Sequence, residues 1–359
     1  MTTSRDRGQP QLILVYEPEA ACHARLVADG FAARHADEIA SYLAQSTDLA
    51  REFGDIGDAC AMRGLDFAAV ELDHAAAALA GADPSRSLVW TLTDGIAYFR
   101  GGSAPALARL NGLPTVGSDD ALFALCQDKF RSGSVLVSLG LPVPPCGLAL
   151  NGEWIVQPPV SDAGWFVKPN RLGAKIGIWP ESRCRTHAEA LDLSRRVHNA
   201  YRDDVVVQTY VPGRNVRASF LGLDPEAGTE ALGIFFIDSG GDFQTMSDSM
   251  SLYGDSAAAA RAAGRYAEPQ LLPVQDSQPG AVKRVKDMTA QTMRGLGLRD
   301  VFSMDLRIEE SGAVHLIEFE VCPGLPCFDF RSYCRAQWNL ELAEAMAETA
   351  ARRFQPALI

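Results

Sequence analysis

The residues best suited to chemistry lie in one stretch near the C-terminal end of the chain. Residues 301–308 and 313–320 alternate in character around Glu-Glu-Ser-Gly312, so they read as a hairpin with a four-residue loop. That loop pairs Ile308 with Ala313 and Asp305 with Leu316. Because side chains alternate across a strand, Ser303, Asp305 and Arg307 share one face with Val314, Leu316, Glu318 and Glu320. Met304, Leu306 and Ile308 share the other with Ala313, His315, Ile317 and Phe319. Three carboxylates this close repel one another unless a cation sits between them. Oxygen ligands without His or Cys on that face suit Mg²⁺, which takes substrate phosphates as co-ligands. The alternative is a solvated acidic face with Arg307 as a structural ion pair.

A second stretch is Phe166-Val-Lys168-Pro-Asn-Arg-Leu-Gly173-Ala-Lys175-Ile-Gly177. A lysine ends a buried strand, and the turn after it holds two glycines and two further cations. Glycine lets successive N–H groups approach an anion, and the cations offset phosphate charge. Neither a G-x-x-x-x-G-K-[ST] loop nor a G-x-G-x-x-G occurs in the chain. Taken alone, the turn reads as a basic surface loop. His315, Cys322, Cys327 and Cys334 match no common zinc spacing and no C-x-x-C, so they read as structural thiols and a lone imidazole.

The elements that must position these residues follow from periodicity. Short apolar runs at 12–16, 67–72 and 88–92 read as strands, with a helical stretch over 39–56, an Ala-rich helix before 88 and a short helix at 105–111. Strands alternating with helices predict a doubly wound parallel sheet over about 10–117. From Ser118, which can cap a helix, the pattern stays helical to about Leu139 and stops at Gly140-Leu-Pro-Val-Pro-Pro145. Thr186-His-Ala-Glu189 fits a capping box. Residues 205–211, 216–221 and 232–237 read as strands, 282–296 as a helix and 331–353 as one last helix. Residues 239–280 carry little periodicity, and a connection that long suggests a lid over the bound substrates.

Composition narrows the class. The chain has 359 residues, with 47% apolar and 22% charged, the profile of an ordinary globular protein. Its net charge of −12 argues against nucleic acid or an anionic membrane surface as the main partner. No apolar run approaches the roughly 18 residues of a membrane helix. The eight cysteines form no dense framework, so a reducing, cytoplasmic compartment is expected.

Taken in order, the stretches resemble the ATP-grasp superfamily over about residues 85–330, and most closely the D-alanine–D-alanine ligases. Lys129 followed by Leu139-Gly140-Leu141-Pro142 resembles the segment that opens these enzymes, and Val167-Lys168-Pro169 the second ATP lysine with its Gly loop. Gln208-Thr-Tyr210-Val211-Pro-Gly213-Arg-Asn215 resembles the adenine-binding strand. Met304-Asp305 with Glu318-Phe-Glu320-Val-Cys-Pro323-Gly324 resembles the metal-binding Asp and Glu-x-Asn-x-x-Pro-Gly. Arg109–Gly117 is similar to the segment before their central domain.

The resemblance implies an α/β (α+β ATP-grasp) fold: an N-terminal doubly wound domain over 1–117, then two subdomains, 118–203 and 204–359, that clasp ATP. It implies carboxylate–amine ligation through an acyl phosphate, with release of ADP and phosphate. Lys129, Lys168, Gln208, Tyr210, Val211 and Asn215 would bind ATP, and Asp305, Glu318 and Glu320 would hold Mg²⁺ or Mn²⁺, two ions in all. Small-molecule amino acids would be the substrates, and a homodimer is the expected assembly to test. A ring-closing ligase and a silent nucleotide-binding protein of the same fold are the alternatives.

The chain also departs from the pattern. Ala174 and Lys175 replace two loop serines, and Ser303 replaces the arginine that grips the substrate carboxylate. Glu320 replaces the metal-site Asn, and Asp329 the serine beyond Pro-Gly. Arg307 and Lys175 are therefore the candidate catalytic cations, and Ser303, Gly324 and Asp329 the candidate substrate contacts. These changes predict a substrate other than a pair of D-alanines.

Overall fold

Three sheets organise the chain in the computed structural model, which describes residues 8–47, 49–93, 102–173, 175–238, 242–247 and 270–354. The first sheet is parallel. Strand β1 (Gln11–Tyr16) lies between β2 (Asp66–Glu71) and β3 (Ser87–Thr91), and one further parallel bridge joins Val89 to Thr115. The run LILV is apolar without alternation because both faces are covered. Leu12 and Leu14 pack with Ile56 and Cys60, while Ile13 and Val15 pack with Leu79 and Ala104. Helices on both faces match the doubly wound expectation.

The second sheet has the order β5-β4-β8-β6-β7, all antiparallel, from β4 (Cys146–Leu150), β5 (Glu153–Val156), β6 (Trp165–Pro169), β7 (Arg183–Cys184) and β8 (Val205–Thr209). The helix His187–Tyr201 covers it, and its predicted capping box is formed: Thr186 accepts from the Glu189 N–H and Glu189 from the Thr186 N–H. The third sheet has the order β11-β10-β9-β12-β13, from β9 (Arg214–Leu221), β10 (Gly233–Asp238), β11 (Gln270–Pro273), β12 (Val301–Ile308) and β13 (Val314–Glu320). The helix Pro279–Leu296 packs Ala281, Val285 and Met288 against Met304, Leu306 and Leu316 behind that sheet.

Several expectations need correction. The helix expected from Ser118 to Leu139 is two helices, Asp120–Cys126 and Lys129–Ser138, capped by Asp119 and Asp128 rather than by Ser118. The Asp128 carboxylate accepts the Arg131 N–H, and an Asp so placed starts a new helix. The last helix is also two, Phe328–Trp338 and Leu342–Phe354, because Asn339 turns left-handed (φ 54°). The stretch over 39–56 divides into Ala33–Thr47 and, after a short 3₁₀ turn, Phe53–Ala61.

The hydrophobic pattern does not predict the β4–β5 hairpin. Its turn is Asn151-Gly152 with φ of 48° and 83°, the Asn-Gly pair that a two-residue turn favours. The expected lid falls on residues 239–280, of which 239–241 and 248–269 lie outside the described residues, as does Ala174. Within the rest, 270–273 is strand and Val274–Ser277 a helical turn. Among the described residues no helix is long and apolar enough to cross a membrane.

Candidate active site

The second and third sheets face each other across a cleft of about 360 Å³ that takes Lys129, Lys168 and Gln208 from one side and Arg217, Asp305, Glu318 and Glu320 from the other. The hairpin register explains the acidic floor. Ser303 pairs with Glu320 and Asp305 with Glu318, but Leu306 pairs with Leu316, so Ile317 is an extra residue and the strand bulges there. The expected pairing of Asp305 with Leu316 is therefore two residues out. An even error leaves Ser303, Asp305, Glu318 and Glu320 on one face, as read from parity. Beyond the bulge the parity flips: Val314 and Leu316 join the core with Leu306, and His315 pairs with Arg307.

The carboxylates are close and paired. One oxygen from each of Asp305, Glu318 and Glu320 lies within 4.8 Å of the others. Lys168 Nζ is 3.2 Å and Lys129 Nζ 3.7 Å from Glu318. Arg217, on the middle strand opposite Asp305, reaches Asp305 with Nε at 2.9 Å, Glu320 with Nη1 at 2.7 Å and Asp329 with Nε at 3.6 Å. Burial pushes the Asp305 carboxyl up to about 7; Arg217 opposes this and the neighbouring Glu320 and Glu318 add to it. Burial would also raise Glu318, but Lys168 and Lys129 outweigh it and hold that carboxyl down to about 2. Sequence reading missed Arg217. Its signal was an arginine inside the mostly apolar strand 216–221, but which residue it faces depends on a register that sequence does not set.

The lysines are placed by the ends of their elements. Lys129 is the first residue of its helix because Asp128 caps it, and its Nζ donates to the Leu172 carbonyl at 2.8 Å. The turn after β6 latches onto the same helix end: Asn170 Oδ1 accepts the Phe130 N–H at 2.9 Å. Lys168 is buried near the end of β6. Lys175 sits in that turn with φ 66° and donates to Gln244; burial lowers its ammonium pKa and Arg217 lowers it further, against Cys327, Asp305 and Asp329.

At the other end of the cleft Gln208, Tyr210, Val211 and Asn215 line the wall. Arg183 stacks over the Tyr210 ring at 4.0 Å, and the Tyr210 hydroxyl meets Asp242. Arg307 belongs to this end. Its guanidinium donates to Asn215 Oδ1 at 2.9 Å and to the Gly213 carbonyl, and it pairs with Asp242 at 3.0 Å. None of these contacts reaches Ser303 or Asp305, so Arg307 does not stand in for the arginine absent from position 303. Arg307 Nε and Gln244 Nε2 are buried without a hydrogen-bond partner among the described residues, and both residues line the cleft. Ser303 is buried and donates to Glu320 at 3.0 Å; Gly324 lines the cleft, and Asp329 opens the helix after it.

Known proteins resemble this chain to different depths. No protein-family profile matches the chain. D-alanine–D-alanine ligase A of Pseudomonas putida is 29% identical over 230 residues, 62% of this chain and 59% of that one. D-alanine–D-alanine ligase of Geobacter sulfurreducens is 25% identical over 232 residues, 64% of this chain and 65% of that one. The chain thus spans less than two thirds of these relatives' length. The crystal structure of D-alanine–D-alanine ligase from Bacillus anthracis complexed with ATP superposes with a TM-score of 0.59 at 12% identity, covering 96% of this chain and 98% of that one. The last is a likeness of fold. With the sequence matches, it makes this chain similar to the D-alanine–D-alanine ligases and gives it their fold.

Proposed function

We propose that the chain is an ATP-dependent carboxylate–amine ligase of the D-alanyl–D-X type, working through an acyl phosphate. The observation that carries this reading is the cleft floor, where Lys129, Lys168 and Arg217 meet Asp305, Glu318 and Glu320 between two sheets. The three carboxylates fit a divalent ion: their oxygens are hard donors, gathered closely enough to share one centre or two. Asp305, Glu318 and Glu320 would hold Mg²⁺ or Mn²⁺ there, and the ion would supply charge neutralisation to the phosphoryl group being transferred.

The chain's own residues do the rest. Lys129 and Lys168 would offset the charge of the ATP phosphates, and Glu318 holds both ammonium groups in place. A substrate carboxylate oxygen attacks the γ-phosphorus and the bond to ADP breaks. The amine nitrogen then attacks the acyl carbon, the C–O bond to phosphate breaks, and the amine gives up a proton. Rate comes from positioning and charge stabilisation, so no nucleophilic side chain is required.

We further propose a substrate pair other than two D-alanines. Ser303 alone no longer supports this, because Arg217 brings a guanidinium to within 2.8 Å of its hydroxyl. The support is the two added charges, Glu320 and Asp329. The test is product analysis with ATP, Mg²⁺ and a panel of D- and L-amino acids, singly and in pairs. Substrate-dependent ADP and phosphate are expected; stoichiometric AMP would overturn the acyl-phosphate route. Efficient D-alanyl-D-alanine formation, with kcat/KM of about 10⁴ M⁻¹s⁻¹ or more, would overturn the substrate assignment alone.

A further inference from the structure

We infer that Arg217 is the residue that grips the substrate's free carboxylate, a task that the ligase pattern gives to an arginine at position 303. The inference rests on the ligase reading above and narrows it to substrates that keep a free carboxylate beside the reacting group.

The argument begins with placement. Arg217 lies on β9, the middle strand of its sheet, in register with Asp305. Its side chain crosses to the neighbouring strand, where Nη1 donates to Ser303 Oγ at 2.8 Å and to Glu320 at 2.7 Å. The guanidinium therefore arrives at the position vacated on β12, from the strand next to it. Ser303 is 1% exposed and small, so it leaves room for that group and fixes Nη1 with its hydroxyl. Arg217 lines the cleft, and its Nη2 makes no hydrogen bond to a described residue.

Charge then decides what Arg217 must do. Two of its three carboxylate neighbours, Asp305 and Glu320, are the oxygens that a divalent ion would claim. Once they are claimed, Arg217 keeps Ser303 and the more distant Asp329, at 3.6 Å. A cation withdrawn from water and left short of counter-ions is unfavourable, so the site then favours an anion. A planar guanidinium with two adjacent N–H groups matches a carboxylate fork to fork, which an ammonium cannot do. Asp329 on the far side tilts the choice toward substrates that also carry an amine near the carboxylate, as free amino acids do. If Arg217 were only the counter-ion of an acidic patch, its loss would lower stability without changing which ligands the cleft selects.

Selectivity is therefore the readout. A panel of amino acids and dipeptides, each with its carboxamide counterpart, is titrated in the presence of Mg²⁺ and a non-hydrolysable ATP analogue. The native chain is expected to bind at least one carboxylate about tenfold or more tightly than its amide, the scale of one charge-assisted pair. Arg217→Gln should bind both forms equally. Exchanging the residues, Arg217→Ser with Ser303→Arg, returns one guanidinium to the same carboxylates and should restore the preference. That double variant also serves if Arg217→Gln fails to fold. Preserved selectivity in Arg217→Gln, an exchange that restores folding but not selectivity, or no carboxylate bound by the native chain would each overturn the inference. Failure of the native chain to bind the ATP analogue would instead fell the ligase reading beneath it.

Discussion

Glu318 is the carboxylate whose chemistry is most tightly specified by its neighbours. Two ammonium groups hold it ionised, so its charge is available at any working pH. Glu318→Gln keeps the shape and removes the charge, which should lower ADP formation by two orders of magnitude or so, the scale of losing a main electrostatic stabiliser. The fold should survive, with an unchanged near-ultraviolet circular dichroism spectrum, because the side chain lines a cleft rather than the core. Near-native activity at limiting Mg²⁺ would show that the hairpin does not hold the metal. Thiols give a second residue-scale expectation. Burial pushes Cys60 up to about 11 and Cys184 and Cys334 up to about 12, from an ordinary 9.0. A raised thiol pKa means that the folded state resists the thiolate. Stability from these groups is complete below pH 9 and is lost as pH rises through the folded values. At pH 8 all three should resist iodoacetamide until urea unfolds the chain; rapid labelling of native Cys60 would contradict this.

Elements fix where those side chains arrive, and the tight connection from β8 to β9 is the most exposed to test. Gly213 has φ of 124°, and a Cβ there would meet the Ile308 carbonyl at 2.3 Å. Its own carbonyl accepts from Arg307, so the turn, the end of β12 and the upper wall of the cleft are built together. Gly213→Ala should therefore cost about 1–3 kcal/mol in urea denaturation and weaken nucleotide binding in the same variant. Unchanged affinity for the ATP analogue would separate the turn from the site. This scale also shows how far sequence could be read. Alternation placed Asp305, Glu318 and Glu320 on one face because parity survives an even error in register. It misplaced Val314 and Leu316 because a bulge at Ile317 leaves no mark on hydrophobic pattern. The Asn151-Gly152 hairpin is legible in its turn residues alone, since the flanking strands carry little alternation. Arg217 was not legible, since its role depends on which strand lies beside β12, and that is set by packing between distant segments.

At the scale of the whole molecule the chain closes on itself. The helix Leu342–Phe354 returns to the first sheet, where Leu342, Ala345 and Met346 share a core with Leu12, Leu14, Leu88 and Trp90. Arg63 and Glu348 clamp the same contact at 2.9 Å. Strand–helix alternation announced a parallel sheet from the first hundred residues, but not that its cover comes from the other end of the chain. A periodic pattern says that a helix face is apolar and does not say against what it packs. The cover matters for the site as well, because Leu221, Val301 and Leu325, which flank the carboxylate strands and the Pro-Gly turn, belong to that same core. The first sheet and the cleft should therefore lose stability together. Met346→Ala opens a cavity in a side-chain cluster that is almost fully buried, so a loss of about 2–5 kcal/mol is expected. Hydrogen exchange gives the sharper reading. Protection should fall in parallel over Gln11–Tyr16 and over Val301–Ile308, although neither strand is altered. If only the helix Leu342–Phe354 exchanges faster while both strands keep their protection, the helix is an appendage, and the first sheet and the cleft stand without it.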